Sequence, residues 1–417
     1  MRRLNDLCYC SPAYGGYGLM NLGMQIPESF ILFVGPRSCG RHSAISSLQN
    51  NNKSRNGYLF ITEEEIALGT VEDEIYKAVE RILATKKSRP KAFIILFSCV
   101  IFLTGMDEKS IINELSRKYQ DIVFQICLMN PISIGTNHAP VTMMYSRMGE
   151  MFDCSGKQEN YLNFIGNNVP VDRSCEIYEI LNNLGVTKVN HAADMKTFDE
   201  FRSMGQARWN LIIKPEGLRT AKELHPRMDY RFTMTCYRLE DIRMQYEEIF
   251  SMLGKRCDLS TYEEKTKSSI KHASETLKGK TIALGSSASY KVFGLARMLV
   301  ENGFEITDIF NSSDIYQDVP SFDSTDFNWI KENHPEIKIH SVCNTQMING
   351  IGKCCSVDIA VGFNAAYFSN TGCIVEIVND EGLFGYRGTE MIMERMEEAA
   401  ANPRNLKRLM DDYGLVV

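Results

Sequence analysis

The sequence predicts an α/β fold of three successive units, each a mainly parallel sheet flanked by helices. Two observations carry this expectation. Apolar runs such as residues 30–34 and 93–97 show no alternation, which suits strands covered on both faces. Between such runs lie stretches with helical spacing, and a repeated strand, helix, strand order favours parallel pairing through right-handed crossovers. The order restarts near Asn160 and again near Lys280, and 417 residues exceed the usual ceiling for one hydrophobic core. The expected domains are therefore 1–160, 161–278 and 279–417, each Rossmann-like in its layering.

Taken in order, the first fifteen residues carry Cys8 and Cys10 ahead of a glycine-rich segment, too irregular for a helix, that reads as an arm over the first domain. The run at 29–34 breaks at Gly35-Pro36 and hands over to a helix start near Gly40. Residues 57–61 read as a strand, and Thr62 with Glu65 has the spacing of a capping box. Val71, Ile75, Ala78, Val79 and Ile82 then share one helical face. A strand at 91–98, a helix at 108–118 and a strand at 122–128 complete the first domain.

The second domain reads as strands at 161–166, 186–189 and 209–213, separated by helices at 175–184 and 198–204. A helix at 219–224 follows, and residues 239–277 are charged and helical with a break at Gly254. In the third domain a strand at 280–285, a helix at 290–302 and a strand at 305–309 are followed by strands at 337–342, 357–361 and 373–378, with a last helix from about Thr389.

Composition narrows the function classes. A formal net charge of −6 gives no support for a phosphate-tracking surface, so nucleic acid is not an expected partner. Thirteen cysteines, an odd number without dense short spacing, do not form a disulfide framework and point to a reducing cytoplasm. The N-terminal residues lack a following apolar core, and no stretch approaches 18 uninterrupted apolar residues. A soluble cytoplasmic protein without a membrane partner is expected.

Three cysteines stand at turns or strand ends. Cys10 precedes Ser11-Pro12, Cys39 lies between Ser38 and Gly40 just past the first strand, and Cys99 follows the strand at 92–98. Iron-sulfur clusters prefer thiolate, ligands of open parallel sheets gather beyond the carboxyl ends of the strands, and small neighbours let a bulky group approach Cys39. The three thiols are therefore candidate cluster ligands. Their wide spacing is not a Cys-x-x-Cys run, and a lone cysteine is more often a small buried hydrophobe. That second reading is the expectation for Cys127, Cys236, Cys257, Cys343 and Cys373.

A wider set of residues accompanies these cysteines: Gly35-Pro36-Arg37-Ser38-Cys39-Gly40, Ile61-Thr62-Glu63 with Gly69, and Ser98-Cys99 followed by Thr104-Gly105-Met106-Asp107. With Cys10, they make residues 1 to about 166 resemble the N-terminal domain of nitrogenase component 1 proteins. That superfamily includes the molybdenum-iron protein subunits, their cofactor-assembly relatives and dark-operative protochlorophyllide reductase subunits. The resemblance continues through Phe164-Ile165-Gly166-Asn167, residues 207–211 and Gly385-Tyr386-Arg387-Gly388.

The resemblance implies that Cys10, Cys39 and Cys99, with Cys8 as the nearest substitute for the first, ligate a cluster at a subunit interface. The cluster would be 4Fe-4S or the P-cluster-like 8Fe-7S type. It also implies a homologous component 1 chain, identical or paralogous, in a dimer or heterotetramer, and an ATP-dependent iron protein as electron donor. An inter-domain cavity would take a second metallocofactor or a tetrapyrrole substrate. Departures stand where the catalytic nitrogenase subunit holds its cofactor: Lys214 replaces a cysteine, residues 378–382 lack a histidine, and Val34 replaces a histidine before Gly-Pro. The implied function is an electron-relaying reductase subunit rather than a dinitrogen-reducing one, the alternative being a scaffold for assembly of a nitrogenase-type metallocofactor. A sensor or interaction module on the same fold is a third reading. No catalytic residue is assigned.

Other motifs receive plainer readings. Arg41-His42 reads equally as a proton donor or a polar helix pair. Cys354-Cys355 reads as a structural pair, because neighbours on an extended strand point to opposite sides. Gly285-Ser286-Ser287 lacks the spacing of a dinucleotide or Walker motif and is assigned no nucleotide. Glu63-Glu64-Glu65 reads as a solvated helix start.

Overall fold

A computed structural model describes residues 19–40, 44, 52–130, 138–224, 227–312, 322–342, 344–350 and 352–412. It divides into two compact units, one spanning Tyr17–Asn168 and Val186–Thr233, the other Val169–Gly185 and Met234–Val417.

The first unit contains two four-stranded sheets. Strands β1 (Ser29–Gly35), β2 (Asn56–Phe60), β3 (Ala92–Ser98) and β4 (Val123–Met129) lie in the order β2-β1-β3-β4, every pair parallel. All seven positions of β1 and of β3 are buried, as their unbroken apolar runs require. Leu32, Val34, Ile95 and Phe97 pack with Ile75, Val79, Ile111 and Leu115. Ile31, Ile94 and Leu96 pack into a separate core with Met144 and Met148. The helices here include α1 (Glu63–Leu68), α2 (Val71–Thr85), α3 (Cys99–Leu103), α4 (Glu108–Lys118) and α5 (Pro140–Glu150). The expected capping box opens α1: Thr62 Oγ1 accepts from the Glu65 amide while the Glu65 carboxylate accepts from the Thr62 amide.

The second sheet, β5 (Glu159–Ile165), β6 (Lys188–His191), β7 (Ala207–Ile212) and β8 (Asp229–Phe232), has the order β6-β5-β7-β8 and is also parallel. β6 lies later than the strand expected at 186–189 because pairing with β5 sets Phe164 opposite His191. Its polar residues are buried in hydrogen bonds instead: Asn190 donates to Asn163, and Asn163 donates to Asn210. Neither α5 nor β8 was anticipated. The first mixes Thr142, Ser146 and Arg147 with its methionines, and the second is short and charged.

The second unit holds one five-stranded parallel sheet. Strands β9 (Thr281–Gly285), β10 (Glu305–Asn311), β11 (Lys338–Ser341), β12 (Ile359–Val361) and β13 (Ile374–Val375) run in the order β11-β10-β9-β12-β13. Strand order reverses at β9, the doubly wound arrangement. The helical stretch before it divides into α6 (Leu239–Leu253) and α7 (Ser260–Thr276), with Gly254 at φ 65° ending α6 as expected. Later helices include α8 (Val292–Glu301), α9 (Ser324–Asn333) and α10 (Gly385–Ala401). The helix expected from about Thr389 begins earlier, at Gly385, where the Glu176 carboxylate accepts the amides of Tyr386 and Arg387, and it is not the last, because a further helix follows at Leu406–Asp412. Three parallel sheets flanked by helices are thus the architecture of the chain.

Candidate functional site

The carboxyl ends of β1 and β3 carry two of the three candidate thiols. Val34 pairs with Phe97, so the next residues, Gly35 and Ser98, lie side by side where the strands end. From Gly35 the chain turns through Pro36 into a helical turn at 37–40, with the Cys39 amide donating to the Pro36 carbonyl at 3.1 Å. From Ser98 it passes directly into α3, whose first residue is Cys99. Cys39 is exposed and Cys99 partly exposed, and neither forms a disulfide. Cys10, its substitute Cys8, and His42 lie outside the described residues.

The approach of the two strand ends depends on the missing side chain at Gly35. A Cβ there would stand 2.3 Å from Ser98 Oγ and 2.5 Å from Ser98 Cβ. Apolar side chains are exposed at the same strand ends: Phe60 ends β2, with the Arg37 guanidinium 5.4 Å from its ring centre, and Phe102 and Leu103 end α3.

Accessible thiols beside a glycine notch suit a thiolate-held metal cluster, and the buried Ser98 hydroxyl, which has no hydrogen-bond partner among the described residues, leaves a polar group at the same edge. Two donors do not complete a site: among the described residues no group of three or more His, Cys, Asp or Glu side chains is assembled to hold a metal ion. Cys127 and Cys236 behave as small core hydrophobes, and burial pushes both thiols up to about 12. Cys257 and Cys373 are partly exposed, and Cys343 lies outside the described residues.

At the positions where the resemblance would put nitrogenase cofactor ligands, this chain has Lys214 and, at 378–382, no histidine. Lys214, just past β7, is buried, and its side chain carries no thiol. Asp380 is also buried, and its carboxylate accepts from the Tyr237 hydroxyl and from the Tyr290 amide. In the turn after β9, Ser287 Oγ donates to Asn364 Oδ1 at 2.6 Å, and Asn364 fills the space beside Gly285. The amides of Phe293 and Gly294, at the start of α8, donate to the Asp323 carboxylate. Cys354-Cys355 lies outside any strand, so strand alternation does not set its side-chain directions.

Sequence reasoning passed over Ser98, Glu176 and Asp323 as functional or organising groups. Ser98 alone had a local signal, as the residue before a candidate ligand.

A model of the family described as nitrogenase component 1 type oxidoreductase matches residues 17–401. No curated protein matches the chain. A solved structure described as "Nitrogenase Cp1 at pH 6.5" is similar at a TM-score of 0.70 and 15% identity, covering 96% of this chain and 94% of that one. Another, "Nitrogenase Cp1 at pH 5", has a TM-score of 0.60 and 14% identity, covering 96% and 90% respectively. At such identity the structures speak for the fold, and the family match extends over most of the sequence. The chain belongs to the nitrogenase component 1 type oxidoreductase family.

Proposed function

We propose that the chain is a component 1 subunit of a nitrogenase-like reductase. In this reading Cys10, Cys39 and Cys99 hold an iron-sulfur cluster, 4Fe-4S or P-cluster-like 8Fe-7S, at the contact with a homologous chain. An ATP-dependent iron protein supplies the electrons. The observation that carries the reading is the placement of two accessible thiols at the ends of adjacent parallel strands. Exposed Phe60, Phe102 and Leu103 at the same strand ends support burial of the site by a second chain.

Bound there, such a cluster supplies one-electron chemistry at low potential. The chain's own residues provide soft donors on rigid strand ends, and the glycine notch keeps those ends close. Buried Lys214 and the engaged Asp380 favour a subunit that does not anchor a nitrogenase-type active-site cofactor. They suit a reductase partner subunit, and they also suit the scaffold alternative.

Anaerobic purification with iron and sulfide analysis tests the ligand assignment. Iron should fall in Cys39→Ala and in Cys99→Ala, and unchanged iron in both variants would sink it. Mixing with the cognate iron protein and ATP separates the two roles: repeated oxidation and reduction with substrate present supports the reductase, whereas transfer of a metallocofactor to a recipient protein supports the scaffold.

A further inference from the structure

Ser98 occupies a position where its side chain has an ordinary task and does not perform it. It is the N-cap residue of α3, with φ −68° and ψ 165°, yet its hydroxyl caps no helix amide. A serine at an N-cap usually accepts from the second or third amide of the helix. Here the oxygen instead lies over the notch at Gly35, where a Cβ would stand 2.3 Å from it. The residue is 2% exposed, and Ser98 Oγ has no hydrogen-bond partner among the described residues. A buried hydroxyl left in that state is costly, and cap geometry offered a local remedy that the side chain does not take.

The next residue is Cys99, and the strand beside it turns through Pro36 to Cys39. The hydroxyl is thus a spare donor where the two thiol-bearing turns leave the sheet. Sulfur bound to iron accepts hydrogen bonds, and each such bond stabilises the more negatively charged, reduced state.

We propose that Ser98 is a positioning residue which donates its O–H to sulfur of the iron-sulfur group held by Cys39 and Cys99, raising its reduction potential. The inference rests on the cluster reading above. Its close coupling to Gly35 explains why glycine stands there: any side chain would push the hydroxyl out of the notch.

The test uses the full chain, purified anaerobically with whatever partner chain it retains, and compares wild type with Ser98→Ala, Ser98→Thr and Ser98→Val. Iron content, the thermal midpoint and a spectroscopic redox titration are read for each. The expected result is wild-type iron in Ser98→Ala, with Ser98→Ala harder to reduce than wild type and Ser98→Val harder to reduce than Ser98→Thr, whose hydroxyl is kept. A tenfold change in the reduced-to-oxidised ratio at fixed potential corresponds to 59 mV for a one-electron couple. Equal titrations for the Thr and Val variants overturn the proposal, because the two have the same shape and differ in the hydroxyl. Absence of iron from wild type would overturn the cluster reading and this inference with it. Iron in wild type with no response to the hydroxyl overturns the Ser98 role alone. If Ser98→Ala does not fold, the Thr and Val pair still decides.

Discussion

Glu176 Oε1 accepts a hydrogen bond from the Tyr246 hydroxyl at 2.6 Å, inside the second unit. The same carboxylate accepts the Tyr386 amide at 2.6 Å and the Arg387 amide at 3.0 Å. An acid from residues 169–185 therefore neutralises the amino end of α10, where aligned peptide dipoles favour negative charge. The Gly385-Tyr386-Arg387-Gly388 motif packs around that carboxylate.

Replacing Glu176 by glutamine keeps the shape and one acceptor but turns an NH₂ group toward a backbone N–H. Glu176→Gln should lower unfolding free energy by about 1–3 kcal/mol, the usual cost of leaving a buried donor unpaired. Urea denaturation of the two proteins reads this directly, and an unchanged midpoint would show that the contact contributes nothing net.

Gly385 is required at the same place for two reasons. Its φ of 57° lies in the left-handed region, and a Cβ would stand 2.3 Å from Glu176 Oε1 and 2.5 Å from the Tyr246 hydroxyl oxygen. Gly385→Ala should cost about 3 kcal/mol, more than the backbone strain of about 1–2 kcal/mol alone, because the buried carboxylate must also move. A thermal melt that shifts by no more than the strain predicts would show that Glu176 relocates freely.

Asp323 gives a pH dependence. Burial pushes its carboxyl up to about 7, against the opposing pull of the Phe293 and Gly294 amides and of Lys291, with Asp326 adding to the rise. The folded protein thus holds a proton that the unfolded chain releases at its ordinary value near 3.8. The resulting stabilisation is fully present below that ordinary value and is lost as pH rises through about 7. Between pH 5 and pH 8 wild type should lose stability relative to Asp323→Asn, by an amount on the order of a few kcal/mol. Parallel stability curves for the two proteins over that range would refute the assignment.

Gly35→Ala drives a methyl group into Ser98. Overpacking of this kind costs about 1–3 kcal/mol, and because the strand ends beside Cys39 and Cys99 must separate, iron retained per chain should fall as well. Loss of stability with full iron retention would mean that the notch serves packing alone.

Much of the fold was legible in local pattern. Unbroken apolar runs located β1 and β3, the three-residue spacing of Thr62 and Glu65 located the start of α1, and the interrupted charged stretch located the break at Gly254. Less was legible where burial is polar. Asn190 and His191 are polar residues beyond the strand expected at 186–189, yet they complete β6 through side-chain hydrogen bonds and pairing with β5. Similarly, α5 exposes too mixed a face to be read without the methionine-rich core it packs against.

By itself the sequence determined the α/β class, most of the strands along the chain and the position of Cys39 and Cys99 just past strand ends, because burial on two faces and chain-breaking residues leave marks within a few positions. Only the tertiary structure decided which strands neighbour one another, and therefore that Gly35 meets Ser98 and that the turns bearing Cys39 and Cys99 leave the sheet together. It also placed Glu176 on amides 210 and 211 residues away and Asp323 on the start of α8. Such pairings depend on electrostatics and packing between groups distant in sequence, and no local propensity records them.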